Sequence, residues 1–69
     1  MHKAFEVHML NTRGRDKSAE IAAAFDGLLE RLTPMVVDPR LLAIVTTKLE
    51  EACFFAKKGM ASQEDNQER

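Results

Sequence analysis

The sequence predicts an all-α fold: an antiparallel two-helix hairpin with a short N-terminal arm, assembling into a homo-oligomeric helical bundle. Three observations predict it. Apolar residues between Ile21 and Leu32 recur at helical spacing, those between Leu41 and Met60 form two such stripes, and 69 residues are too few to cover the second stripe. A chain this short buries only about 60% of its unfolded surface, so a lone core is marginal. Small proteins without disulfide or metal staples commonly gain stability by oligomerising.

Along the chain, Phe5-Glu6-Val7-His8-Met9-Leu10 alternates loosely and reads as an extended or irregular arm. It ends near Asn11 or Thr12, either of which can cap a helix. The first helix is expected from about Gly14 or Arg15 to Leu32, with Ile21, Ala24, Phe25, Leu28, Leu29 and Leu32 as one broad stripe. Pro34 disfavours helical geometry at Thr33 and stops it. Asp38-Pro39 restarts the chain, with Asp as N-cap and Pro at the first helical position, where its missing N–H costs nothing.

The second helix is expected from Pro39 to Gly59 or Ala61, matching the first in length. Leu42, Val45, Leu49, Ala52, Ala56 and Met60 make its packing stripe, with Cys53 as a buried small hydrophobe beside them. Leu41, Ile44 and Phe55 form a neighbouring stripe and Phe54 lies further round. These four are the expected oligomer interface. Small residues (Ala22, Ala23, Ala24, Gly27, Ala52, Ala56) allow close helix approach. Residues 1–61 thus form the hairpin domain, and 62–69 a polar tail expected to fray.

Composition bounds the function. The lone Cys53 cannot form an internal disulfide, and no four-ligand zinc pattern is present. His2 and His8 are too isolated for a metal site. No apolar run is long enough to span a membrane, and Met1-His2-Lys3-Ala4-Phe5-Glu6-Val7 lacks a signal-peptide core, so a reducing cytoplasm is expected. A net charge of −1 argues against a binder of polymeric nucleic acid, which depends on many cationic phosphate contacts. It leaves room for a small anion held by a local cluster.

Such a cluster follows from the antiparallel pairing. Arg13, Arg15 and Lys17 open the first helix, and Lys57 and Lys58 close the second, so five of the ten Lys and Arg residues gather at one pole. Lysines at a helix C-terminus complement the macrodipole; the cations at the start of the first helix oppose it. The plainer reading is a solvated surface balanced by Glu64, Asp65 and Glu68. The functional one is a phosphate site of helix N–H groups with Arg and Lys. Glu50 and Glu51 point about 100° apart on their helix and cannot converge on one atom. With no nucleophile–base pair and no glycine-rich loop, neither enzyme activity nor a cofactor is expected.

The segment Thr47-Lys48-Leu49-Glu50-Glu51-Ala52-Cys53-Phe54-Phe55-Ala56-Lys57-Lys58-Gly59-Met60-Ala61 resembles the second helix of a phage hairpin domain. That domain is shared by the anti-CBASS cyclic-nucleotide sponges and the Thoeris anti-defence sponges. His8-Met9-Leu10-Asn11, Ile21-Ala22-Ala23-Ala24-Phe25 and Glu64-Asp65-Asn66-Gln67 fit the same pattern, so the likeness covers nearly the whole chain. It implies a protein that binds cyclic di- or trinucleotide messengers in the host bacterial cytoplasm, withholds them from effectors and cleaves nothing. It also implies a homohexamer with pockets shared between subunits.

By this resemblance a basic residue late in the second helix contacts phosphate, and Lys58 is the matching position. The family also uses an aromatic residue ahead of the first helix to stack on a base, and a lysine within that helix. This chain has no Tyr, so His8 or Phe5 would stack, and Lys17 is the nearest lysine. Thr47 and Asn11 are candidate polar contacts. The alternative is a small oligomeric helical adaptor whose second apolar face docks a protein partner, leaving the basic pole as solubilising charge.

Overall fold

The computed structural model describes residues 8–68 of the chain. Two helices dominate: α1, Thr12–Leu32, and α2, Pro39–Ala61. They lie side by side and antiparallel, joined by one 3-10 turn over Thr33–Met35, and a second 3-10 turn, Glu64–Asn66, follows α2. No strand forms among the described residues; a single antiparallel bridge joins Leu10 and Gln67.

The helix boundaries follow local chemistry. Asn11 is the cap of α1, and its Oδ1 accepts the Gly14 N–H at 2.8 Å. The cap places the helix start at Thr12, two or three residues ahead of the spacing-based expectation. Pro34 does not end the structure at Thr33; it sits inside the 3-10 turn, and Thr33 Oγ1 donates to the Leu29 carbonyl at 2.7 Å. Asp38 caps α2 as expected, its Oδ1 accepting the Arg40 N–H at 2.9 Å, with Pro39 in the first turn.

The helix seam is narrower than the apolar stripes suggest. On α1 the half-buried positions include Ser18, Ala22, Phe25, Leu29 and Leu32; on α2 they include Leu42, Thr46, Leu49, Cys53 and Ala56, ending at buried Met60. Both series alternate steps of four and three, the spacing of an antiparallel coiled-coil seam. Ala24, Leu28 and Ala52, expected in the packing stripes, are exposed, as is Ala23. Each lies about a third of a turn or more from the seam, and one partner helix covers only a narrow strip. Cys53 is half-buried rather than enclosed.

Met60 is the one hydrophobic side chain buried among the described residues, at 7% exposure. The molecule measures 47 × 25 × 11 Å, and a second helical layer would add 8–10 Å to the shortest dimension. Its radius of gyration, 14.8 Å, exceeds the roughly 11 Å of a compact 69-residue domain. Leu41, Ile44, Phe54 and Phe55 all remain exposed, the two rings in an edge-on pair with centroids 5.4 Å apart.

The tail corrects the expectation that it frays. Residues 62–68 turn back and satisfy the end of α2: the Ser62 hydroxyl and N–H both donate to the Lys58 carbonyl, and Gln67 Nε2 donates to the Ala61 carbonyl at 2.9 Å. Asn66, fully buried, donates through Nδ2 to the Met60 carbonyl and to Gln63 Oε1, each at 3.0 Å. The same segment grips the start of α1. Asn11 N–H donates to the Asn66 carbonyl, and Asn11 Nδ2 to the carbonyls of Asp65 and Gln67. The Glu68 N–H donates to the Met9 carbonyl at 2.8 Å. Ser62, Gln63, Glu64, Asp65 and Glu68 stay exposed, while the amides of Asn66 and Gln67 pair with backbone.

Gly14 is buried where this junction closes. A Cβ there would collide with the Asn66 carbonyl oxygen and lie 3.0 Å from Leu10 Cδ2. Gly27, in the middle of α1, has nothing within 4 Å of the same atom. Gly27→Ala should therefore stabilise the protein by about 0.5–1 kcal/mol through helix propensity. Gly14→Ala should cost about 1–3 kcal/mol through overpacking against backbone. Urea unfolding of the two variants checks this, and a stabilising Gly14→Ala would show that the tail does not pack there in solution.

Asn66→Ala should cost about 1–3 kcal/mol, because the Met60 carbonyl and Gln63 amide lose a buried partner. Amide exchange should then rise in the last turn of α2 and the first turn of α1, and not at the Asp38 cap.

Candidate functional site

The antiparallel hairpin brings the start of α1 to the end of α2, so the predicted cations do share one end of the molecule. They are not level. Arg13 lies beside the tail, in a recess of about 400 Å³ with Asn11, Thr12, Glu64 and Asp65. Lys57 lines a different cleft beside Ala22. At 1.5 Å per residue, the nine positions from Arg13 to Ala22 spread the cations over roughly 13 Å of the helix axis. Arg13, Arg15 and Lys58 are exposed, while Lys17 and Lys57 are half-buried. Among the described residues none of these five forms an ion pair; Lys48 and Glu51 do, at 3.9 Å and well exposed.

One N–H of the expected phosphate cradle at the helix start, that of Gly14, is taken by the chain itself. Asn11 occupies the Gly14 N–H, and both its side-chain polar atoms are spent on the junction. Asn11 is thus a structural residue in this fold. Glu64 and Asp65 add two carboxylates to the recess around Arg13, and their charge repels a phosphate. Of the five cations, Arg13 is the one that shares this recess with the tail carboxylates.

Thr47 stands apart from this end. It lines a shallow recess of about 450 Å³ on α2 with Arg40, Ile44 and Lys48, some fifteen ångströms along the helix from Lys57 by the same rise. His8 is half-buried next to the bridged arm and lies at the basic end. Phe5 falls outside the described residues.

A cleft of about 470 Å³ is a feature that charge counting does not reveal. It runs between α1 and α2 on one broad face. Phe25, Leu29, Leu49 and Cys53 form its floor, and Phe54 stands at its edge, 61% exposed. Asp26, Glu50 and Lys57 supply the charges around it. The Thr46 hydroxyl, also on the lining, is turned to the Leu42 carbonyl at 2.9 Å. The sequence signal was Glu50, Phe54 and Lys57 at i, i+4 and i+7, one face of α2. Read separately, as an acid pair, a core aromatic and a capping lysine, they do not suggest a groove.

Chemically the site offers cations, apolar surface and amides. Among the described residues no three His, Cys, Asp or Glu side chains gather as a metal site requires, and no helix is long and apolar enough to cross a membrane. No known protein family, curated protein or solved structure matches this chain.

Proposed function

We propose that this protein is a phage anti-defence sponge: a homo-oligomer, most simply a hexamer, that binds cyclic di- or trinucleotide messengers in the host cytoplasm and withholds them without cleavage. The observation that carries the reading is the gathering of five cations at one end of the hairpin. Arg13, Arg15, Lys17, Lys57 and Lys58 share that end and make no ion pair among the described residues. A small polyanion supplies the missing negative charge. The resemblance of α2 and the arm to the sponge domain gives the same class of ligand. Lys58 is the leading phosphate contact, with Lys17 beside it and His8 or Phe5 as the stacking group.

The shape of one chain fits a shared pocket. Its recesses are open and shallow, and a ligand is enclosed only when other subunits complete the walls. Nothing in the residue set performs chemistry on a phosphodiester, so the ligand leaves as it entered.

One observation favours a different reading. Leu41, Ile44, Phe54 and Phe55 expose more apolar surface than nucleotide binding requires, as an adaptor docking another protein would. Titration calorimetry with a panel of cyclic di- and trinucleotides separates the two, since the adaptor binds none of them.

For the sponge, Lys58→Ala should weaken binding about tenfold to a hundredfold per contact, the worth of one charge-assisted hydrogen bond. Its unfolding midpoint should barely move, because an exposed lysine in the last turn contributes only tenths of a kcal/mol. Nucleotide recovered after denaturing the complex should be intact by mass. Undiminished affinity in a well-folded Lys58→Ala oligomer would remove Lys58 from the site.

A further inference from the structure

We propose that the groove between α1 and α2 is where two copies of this chain meet, α2 lying antiparallel on α2 about a two-fold axis at Cys53–Phe54, with Glu50 of each copy against Lys57 of the other. This inference rests on the homo-oligomer part of the proposed function, names one contact between copies, and does not depend on the ligand.

A hairpin one layer thick has no enclosed core, and domains become stable when a second layer covers the apolar face of the first. The broad face, 47 by 25 Å, exceeds the roughly 800 Å² per partner that stable pairs bury. The groove on that face has an apolar floor, with Phe54 projecting at its edge as the kind of aromatic anchor that fills a facing pocket.

Charge order selects a second copy over another occupant. Along one face of α2 the groove presents Glu50, then Phe54, then Lys57. Antiparallel pairing about the midpoint of residues 50 and 57 brings each acid to the other copy's base, twice by symmetry. Parallel pairing in register would set Glu50 on Glu50 and Lys57 on Lys57, which is repulsive. Neither side chain has an ion-pair partner among the described residues, so both are available for this exchange.

Cys53 lies on the groove floor one residue from the proposed axis, so the two copies of this lone cysteine come close to each other. Lys58, a third of a turn round the helix from Lys57, stays outside the contact and keeps its place at the basic end.

Sedimentation equilibrium of the full chain tests the pairing through a charge swap. Glu50→Lys and Lys57→Glu should each weaken self-association at least about tenfold, since each creates two like-charge contacts. The double variant Glu50→Lys/Lys57→Glu should return to within about threefold of the natural chain, because the pair is rebuilt with its signs exchanged. A short bismaleimide should join two chains through Cys53 in the natural and double-variant proteins and much less in the single ones. A natural chain that stays monomeric at tens of micromolar, a double variant as weak as either single, or single variants that associate normally would each overturn the proposal. The last would move the contact to the opposite face, that of Leu41, Ile44 and Phe55.

Discussion

Two α-helices lying side by side make a single layer, and a single layer encloses almost no side chain from all directions. Most features of this protein follow from that constraint. Each helix offers its neighbour a strip about one seam wide, and the apolar residues outside the strip remain in water: Leu28 on α1, and Leu41, Ile44, Phe54 and Phe55 on α2. Burial of apolar area is the main favourable term in folding, and these residues contribute little of it within one hairpin.

Where apolar burial is scarce, polar pairing does more of the positioning. The end of the hairpin is closed by amides: Asn11 caps α1 and reaches the tail, while Asn66 and Gln67 reach the last carbonyls of α2. One short segment thus satisfies orphan backbone groups from both helices, and Gly14 lets it approach the α1 backbone closely. This junction also shapes the basic end. It places Glu64 and Asp65 beside Arg13, so the protein's own carboxylates mask that member of the basic pole.

The helices and their ends were legible in the sequence because they depend on neighbours a few residues away. Asp38-Pro39 marks a helix start by the geometry of two side chains, and the apolar spacing of α1 and α2 marks two helices wherever they end up packing. The candidate cations were legible as a group, since an antiparallel hairpin joins those ends by topology alone. The masking of Arg13 was not, because the acids beside it arrive through a fold-back that composition reads as a loose tail. Asn66 and Gln67 carry no signature that separates a buried backbone partner from a solvated amide.

By itself, then, the sequence determined the helix count, the Asp38 cap of α2, the direction of the hairpin and the excess of apolar surface over what two helices can cover. Local backbone preference and periodicity decide those, and both are written in short windows. The tertiary structure alone decided which part of each stripe forms the seam, that Ala24, Leu28 and Ala52 fall outside it, and that Glu50, Phe54 and Lys57 border one groove with Asp26. It also decided that the tail folds back to bury Asn66 against Gly14. These depend on the relative rotation of two helices and on contacts more than fifty residues apart in the chain, such as Asn11 with Asp65. No short window of sequence encodes either.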